Sequence, residues 1–359
     1  MTPSPWTAQA AHDWFQRQPL PLGANYVPAN AINQLALWQD LDEARIDLEL
    51  GWAAGLGMNM MRVFLHDALW RADAADFKRR IDRFLTVAER HGIRAMFVLF
   101  DSCWSPVHHL GPQRPPIPGV HNSGWVQGPG AVILNSYEQH LDSLRGYVQD
   151  IVGHFAQDPR VAVWDVWNEP DNSGGGFGFY DAVETPRKTE AVTALLPLVF
   201  DWARSAAPSQ PLTSGVWIGE DWSATSTTLS PIQRTQLTQS DVTSFHDYSW
   251  PEKLEARIRQ LQTWGRPLLC TEYMARSQGS AFDTALPVAA QHRVGMINWG
   301  FVDGLSQTRY PWGSWVHPYN RMPDGIWTWF HDVLHTDGTP YRAAEVHCLR
   351  AHAEAVGTR

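Results

Sequence analysis

Residues 161–170, VAVWDVWNEP, carry the pattern that decides the fold of this 359-residue chain. They form an apolar run of strand-forming residues that ends in a carboxylate, and a proline follows directly. Alternation along an ideal strand places five side chains on one face: Val161, Val163, Asp165, Trp167 and Glu169. Residues 266–274, RPLLCTEYM, repeat the pattern and end in Glu272. The sequence therefore predicts two buried strands, each with a glutamate at its end.

Runs of strand-forming residues alternate with amphipathic runs along the rest of the chain. Eight strands are predicted, at residues 20–27, 59–65, 93–100, 161–170, 211–218, 241–248, 267–273 and 295–301. Seven helices are predicted between them, at residues 41–56, 73–91, 136–157, 187–207, 231–239, 251–264 and 281–293, and residues 326–334 and 341–355 close the chain. Mostly apolar strands that alternate with helices form parallel sheets. We therefore expect residues 1–359 to form one (β/α)8 TIM barrel domain, with its core at about 20–335 and a C-terminal helix at 341–355.

Loop lengths give a second argument for the barrel. The turns from helix to strand are short, whereas three loops from strand to helix are long, at residues 101–135, 171–186 and 302–325. Long loops without regular structure are usually functional. All three would lie at the C-terminal face of a barrel, where such enzymes build their active sites. Within the second loop, residues 174–176 (GGG) are expected to form a flexible flap after Glu169.

Composition limits the classes of partner and the compartment. A formal net charge of −9 argues against nucleic acid or an anionic membrane as a partner. The three cysteines are widely spaced and form no disulfide framework, which fits a reducing compartment. No apolar run reaches the length of a signal-peptide core or of a membrane span. We expect a cytoplasmic protein, or a secreted one if a leader has been removed. The composition does not predict an oligomeric state.

Polar and aromatic side chains stand at the ends of the predicted strands. They are Arg62, His66 and Asp67 after the second strand, Asn168 and Glu169 at the fourth, His246 and Tyr248 at the sixth, Glu272 at the seventh and Trp299 at the eighth. One glutamate at a strand end could be the structural partner of an arginine. Two glutamates at the same level as these other groups favour a catalytic site. Paired carboxyl groups are the machinery of glycoside hydrolysis.

At these positions the chain resembles glycoside hydrolase family 5 and its wider clan A. WNEP at residues 167–170 matches the acid/base signature of strand four, and TEY at residues 271–273 matches the nucleophile of strand seven. Four further residues also fit the family, so that the resemblance spans all eight strands: Arg62, His246, Tyr248 and Trp299. One departure follows strand three, where many members carry a histidine and this chain reads DSCW at residues 101–104.

The resemblance implies a retaining double displacement. Glu272 would be the nucleophile, and Glu169 would be the general acid and then the general base. Arg62 and Tyr248 would favour the ionised form of Glu272, while a drier setting would keep the proton on Glu169. The resemblance implies three further roles. Asn168 would bind the sugar 2-hydroxyl, Trp299 would form a surface on which the reacting sugar stacks, and His246 would support Glu169. Further substrate contacts are predicted for Trp104, His66 and Trp312.

The predicted function is exo-action on short β-linked manno- or gluco-oligosaccharides, as in a β-mannosidase. The same fold and residues also serve endo-β-1,4-glycanases of the cellulase, mannanase or xylanase type, and transglycosylases. A non-catalytic carbohydrate-binding barrel is a fourth possibility, although both glutamates and Arg62 are present. An oligosaccharide is the expected partner. No metal or organic cofactor is implied, because no histidine lies in a recognised metal spacing.

Overall fold

A computed structural model of the protein describes residues 4–173, 185–320 and 327–357. Its strands are β1 (Leu22–Asn25), β2 (Met60–Phe64), β3 (Arg94–Val98), β4 (Val161–Asp165), β5 (Leu212–Thr213), β6 (Thr243–His246), β7 (Leu268–Glu272) and β8 (Gly295–Asn298). They form one parallel sheet in the order β5-β4-β3-β2-β1-β8-β7-β6. The prediction of a (β/α)8 barrel is confirmed.

The barrel closes between β5 and β6, the two strands at the ends of this order. The backbone nitrogen of Val216 donates to the oxygen of Ser244 at 3.2 Å, and the nitrogen of His246 donates to the oxygen of Val216 at 2.9 Å. These two hydrogen bonds form a parallel bridge between Val216 and Phe245. Closure therefore brings the C-terminal ends of β4, β6 and β7 around one mouth.

The helices surround the sheet. They are α1 (Ala8–Gln16), α2 (Gln34–Gln39), α3 (Glu43–Gly55), α4 (Asp67–Arg90), α5 (Ala131–Leu134), α6 (Leu141–His154), α7 (Lys188–Ser205), α8 (Pro231–Gln239), α9 (Pro251–Gln262), α10 (Phe282–His292) and α11 (Ala343–Val356). Each predicted helix is present, but α4 begins six residues early and bends at Asp73. Helices α1, α2 and α5 were not predicted. Residues 327–334 form no helix, and the predicted flap at 174–176 lies outside the described residues.

Side chains pack on both sides of the strands. Those of Met60, Met96, Val163, Leu269 and Ile297 come from five strands and form one cluster, so they fill the inside of the barrel. Trp14 and Phe15 of α1 join this cluster and close its N-terminal end. A second, larger cluster lies between the strands and the helices. None of the helices in the described ranges is both long and apolar enough to cross a membrane.

The predicted shared face of strand four is wrong for Trp167. Strand β4 ends at Asp165, and the indole of Trp167 packs outside the barrel, 5.1 Å from the ring of Phe100. Its Nε1 donates to the hydroxyl of Ser102 at 2.9 Å. Period-two alternation applies only while the backbone remains extended. The geometry of Glu169 therefore depends on the turn after the strand and not on the strand alone.

Buried Asp241 should make a large contribution to the stability of the barrel. Its carboxylate accepts hydrogen bonds from Arg204 of α7 at 2.8 Å, from the nitrogen of Trp6 at 2.7 Å and from that of Leu212 at 2.9 Å. Asp241→Ala should lower the free energy of unfolding by about 3–5 kcal/mol, because it leaves a buried guanidinium unpaired. Urea denaturation measures this change. Asp142→Ala, which removes an exposed ion pair with Arg145, should leave the curve unchanged, and an equal loss in both variants would contradict the prediction.

Candidate active site

Arg62, at the C-terminal end of β2, is the centre of the polar network at the barrel mouth. Its side chain is fully buried, and each of its five N–H groups meets an acceptor. Nε and Nη2 donate to one oxygen of Asp165 at 3.1 and 2.8 Å, and Nη2 also donates to Asn168 at 2.6 Å. Nη1 donates to Asn25 at 2.7 Å and to Glu272 at 3.0 Å. One cation thus holds carboxylates from β4 and β7 in fixed positions.

The two strand-end glutamates face each other across His246. Nδ1 of His246 lies 2.8 Å from Oε1 of Glu169 and 3.5 Å from Oε2 of Glu272. One oxygen of each carboxylate and a nitrogen of this imidazole lie within 4.8 Å of one another. The hydroxyl of Tyr248 donates to Oε2 of Glu272 at 2.8 Å. Strands β4, β6 and β7 therefore bring together two carboxyl groups with different hydrogen-bond partners.

A local turn directs Glu169 toward the mouth of the barrel. Its φ angle is +41°, in the left-handed region that residues other than glycine rarely adopt. The turn is held by the nitrogen of Asn168, which donates to the oxygen of Phe100, and by that of Asn172, which donates to the oxygen of Glu169, both at 2.8 Å. Such backbone strain is concentrated at functional sites.

The hydrogen bonds decide which glutamate carries a proton. Burial raises the pKa of Glu169 to about 7. Burial, and next to it the neighbouring Glu169, also raise the pKa of Glu272, whereas the charge of Arg62 and the hydrogen bond from Tyr248 lower it. Burial lowers the pKa of His246 to about 4, so the imidazole between the acids is neutral. With Arg62 and Tyr248 both donating to Glu272, the ionised form is favoured there, and the proton is held by Glu169.

Both glutamates line a pocket with largely aromatic walls. The other lining residues are Cys103, Trp104, His121, Asn168, Asn172, Trp217, Tyr248, Trp299 and Trp312. Seven of the ten predicted site residues therefore line this pocket, while Arg62 and His246 contact its glutamates from within the protein. The rings of Phe64 and Trp125 pack edge-on at 6.0 and 6.1 Å from Trp299 and hold its indole in place.

His66 is the predicted site residue that the structure places elsewhere. Strand β2 ends at Phe64, and the fully buried His66 begins helix α4. Its Nδ1 accepts a hydrogen bond from the nitrogen of Ala68 at 3.1 Å, and its Nε2 lies 2.9 Å from the oxygen of Gln127. Both ring nitrogens are occupied by backbone groups. His66 therefore caps a helix, and the predicted substrate contact is replaced by a structural role.

Three residues of the site had no role in the sequence prediction. Asp101, two residues beyond Leu99, accepts hydrogen bonds from Nδ2 of Asn168 at 2.8 Å and from Nε1 of Trp125 at 2.5 Å. Cys103 and Asn172 both donate to Oε2 of Glu169, at 3.3 and 2.7 Å. Asp101 follows the end of β3, so a search for polar residues at strand ends could have identified it. Cys103 and Asn172 lie in loops, where no periodic pattern marks them.

Glu169, His246 and Glu272 also form the one group among the described residues whose donor atoms are close enough to hold a metal ion. Two carboxylates and an imidazole are suitable ligands for a transition metal. However, Arg62 and Tyr248 already donate to the two oxygens of Glu272. A guanidinium in contact with a ligand opposes a second cation, which makes a proton-transfer pair the better interpretation of this group.

Comparisons with known proteins agree on the fold. No family model and no curated protein sequence matches the chain. Among solved structures, a GH5_18 protein from Streptomyces cattleya in complex with Manb1-4GlcNAc is 16% identical, with a TM-score of 0.60, over 94% of this chain and 80% of that one. An exo-β-1,4-mannosidase from Opitutaceae bacterium strain TAV5 is 18% identical, with a TM-score of 0.61, over 94% of this chain and 60% of that one.

A third similar structure is described as an endo-acting enzyme, in contrast to the exo-mannosidase. It is the endo-1,4-β-mannanase from Rhizomucor miehei, which is 14% identical, with a TM-score of 0.56, over 95% of this chain and 100% of that one. At these identities the similarity establishes the barrel fold of the chain. Its chemistry has to be argued from its own residues.

Cys103 should influence the pH range over which Glu169 is protonated. Its thiol donates to Oε2 of Glu169, and this hydrogen bond lowers the pKa of the carboxyl group. Cys103→Ala removes the donor, so the pKa of Glu169 should rise. If Glu169 acts as a general acid, the alkaline limb of the profile of kcat/KM against pH should move to higher pH. Cys103→Ser retains a donor and should keep the alkaline limb near its original position. A shift to lower pH, or equal shifts in both variants, would contradict the assignment.

Proposed function

We propose that the chain is a retaining β-glycosidase of the glycoside hydrolase family 5 type, acting as a single catalytic domain. The observation that carries this proposal is the close approach of Glu169 and Glu272, with one oxygen of each within 4.8 Å. Retaining enzymes hold their two carboxyl groups about 5–5.5 Å apart, whereas inverting enzymes separate them by about 6.5–9.5 Å to admit a water molecule.

Each chemical step has a residue in the appropriate protonation state. Ionised Glu272 attacks the anomeric carbon of the substrate and forms a covalent glycosyl-enzyme, while Glu169 donates its proton to the departing oxygen. Glu169, now a carboxylate, then removes a proton from water, and the hydroxyl oxygen of that water displaces Glu272. The neutral imidazole of His246 can donate from Nδ1 to the Glu169 carboxylate or, as its other tautomer, accept from the acid form. It can thus support Glu169 in both states.

Asn168 and Trp299 are placed to bind the reacting sugar. The oxygen of Asn168 accepts from Arg62, one N–H of its amide donates to Asp101, and the amide nitrogen also makes a long hydrogen bond of 3.8 Å to Sγ of Cys103 on the pocket wall. We assign the second N–H to the sugar 2-hydroxyl, which would replace this weak bond to sulfur by a hydrogen bond that strengthens in the transition state. The indole of Trp299 offers an apolar face on which a pyranose ring can stack.

Exo-action is supported by the two long loops after β3 and β8, which are joined across the side of the mouth above β1 and β2. The joining hydrogen bonds run from Asn122 to Ser306, from Tyr319 to Gly119, from Gln307 to Ile117 and from Trp315 to His121, at 2.9, 2.9, 2.8 and 2.7 Å respectively. On this side, the cavity lined by Trp299, Phe64 and Trp125 has a volume of only about 30 Å³. That space suits a water molecule and excludes a second sugar.

The proposed substrate is the terminal sugar of a short β-linked manno- or gluco-oligosaccharide. A closed end beyond Trp299 suits the removal of one sugar at a time. Two of the similar structures are described as an exo-mannosidase and as a complex with Manb1-4GlcNAc, which supports a β-mannoside as the first candidate. A short oligosaccharide also suits the cytoplasmic location that the cysteine content suggests.

Hydrolysis of aryl β-glycosides tests this proposal. Wild-type protein should hydrolyse one member of a panel of β-mannoside, β-glucoside, β-xyloside and β-galactoside, and Glu272→Ala should lower kcat more than about 1000-fold because it removes the nucleophile. Glu49→Ala is a matched control, since Glu49 is also buried and paired with an arginine, Arg45, but lies outside the pocket. It should retain the kcat of the folded protein.

Other outcomes of the same experiment would contradict the proposal. Activity in Glu272→Ala equal to that of the wild type would exclude the assigned nucleophile. Loss of activity with a chelator would favour a metal at Glu169, His246 and Glu272. The absence of hydrolysis of every glycoside in the panel would favour a carbohydrate-binding barrel. With a β-1,4-linked oligosaccharide, internal cleavage would indicate an endo-glycanase, and elongated products in excess acceptor would indicate a transglycosylase.

A further inference from the structure

His121, in the long loop after β3, lines the same pocket as the two glutamates but has no part in the proposed chemical steps. Its side chain is fully buried. Nδ1 lies 2.8 Å from the carbonyl oxygen of Tyr310, whereas Nε2 has no hydrogen-bond partner. Because a carbonyl oxygen can only accept, the ring proton is on Nδ1. Burial lowers the pKa of His121 to about 4 although the backbone carbonyls of Tyr310 and Thr308 act in the opposite direction, so the ring is neutral and Nε2, which has no hydrogen-bond partner, is an acceptor.

The position of this acceptor is fixed by the loop after β8. The backbone nitrogen of His121 donates to the hydroxyl of Ser314 at 2.9 Å, and Nε1 of Trp315 donates to the backbone oxygen of His121 at 2.7 Å. Together with the bond to Tyr310, these contacts hold the imidazole from three sides. An unpaired buried acceptor is unfavourable, so a ligand that supplies a donor gains affinity at this point.

We propose that Nε2 of His121 accepts a hydrogen bond from a hydroxyl group of the terminal sugar and so selects substrates in which that hydroxyl is free. The inference rests on the proposed function, since the hydroxyl group belongs to the sugar that would bind in the same pocket. His121 belongs to the joined loops that close the pocket, so its partner belongs to the sugar at the non-reducing end. A substrate with a methyl group or another sugar on this oxygen lacks the donor and meets the closed wall.

Sugar binding without turnover tests this inference. The affinities of mannose, glucose and their 3-, 4- and 6-deoxy analogues are measured by the fluorescence of the pocket tryptophans, with wild-type protein and with His121→Phe. In the wild type, one deoxy sugar should bind about 10- to 100-fold more weakly than its parent. His121→Phe should bind the parent more weakly by a similar factor, and should no longer distinguish it from that deoxy sugar. Such coupling between one side chain and one hydroxyl identifies a direct contact.

Two further variants separate this contact from a general disturbance of the pocket. His121→Gln restores an acceptor and should recover part of the discrimination. His331 matches His121 closely: it is fully buried, its ring lies 5.3 Å away, Nδ1 bonds the carbonyl of Met274 and Nε2 has no partner, but it does not line the pocket. His331→Phe can change the overall affinity, because the ring packs on Tyr248, but should preserve the ratio between parent and deoxy sugars.

The inference would be overturned if His121→Phe discriminated among the sugars as the wild type does. It would also be overturned if His121→Phe weakened all sugars equally, or if the wild type bound none of them. A different result is expected if the inference is right but the protein is not a glycosidase. His121→Phe would then still lose the discrimination between the parent and the deoxy sugar, but the wild type would hydrolyse no aryl glycoside.

Discussion

The buried guanidinium of Arg62 is the interaction on which the rest of the site depends. It contacts side chains from β1, β4 and β7 and the turn after β4, so that four parts of the barrel mouth are held by one group. A buried cation is unfavourable unless it is paired, and two carboxylates and two amide oxygens satisfy it completely. The hydrogen bond from Arg62 favours the ionised form of Glu272 and fixes the position of its carboxylate, and both are required of a nucleophile.

The asymmetry between the two glutamates follows from this constraint. Glu272 receives charge-assisted and hydroxyl hydrogen bonds, whereas Glu169 lies on a strained turn beside a thiol, an amide and a neutral imidazole. Burial acts on both acids, but a cation contacts only Glu272. Two residues of the same type thus acquire opposite charge states from their neighbours, as acid/base pairs require.

The sequence was sufficient to predict the barrel and most of the residues at its mouth, because a parallel sheet gathers the ends of its strands at one edge. It was less informative where the backbone departs from regular structure. Trp167 lies outside the barrel because β4 ends before it, and His66 follows β2 at a spacing that suits a helix cap as well as a ligand. Neither outcome is visible in a period-two pattern.

Contacts between loops were beyond prediction for a different reason. The bond between His121 and Tyr310 joins residues 189 positions apart, and the orientation of the imidazole depends on it. The hydrogen bonds that close the pocket likewise join the loops after β3 and β8. Loop sequences carry no periodicity that would pair them, so these contacts become evident only in the folded chain. The residues to which we assign the chemistry could therefore be named from the sequence, while the residue proposed to select the substrate could not.

The stereochemistry of the first product tests the central claim most directly. Proton nuclear magnetic resonance can follow the anomeric signal of the sugar released from a β-glycoside before mutarotation. Two carboxyl groups at the separation seen here leave no room for a direct attack by water, so the β-anomer should appear first. Initial release of the α-anomer would show inversion and would contradict the assignment of Glu272 as a covalent nucleophile.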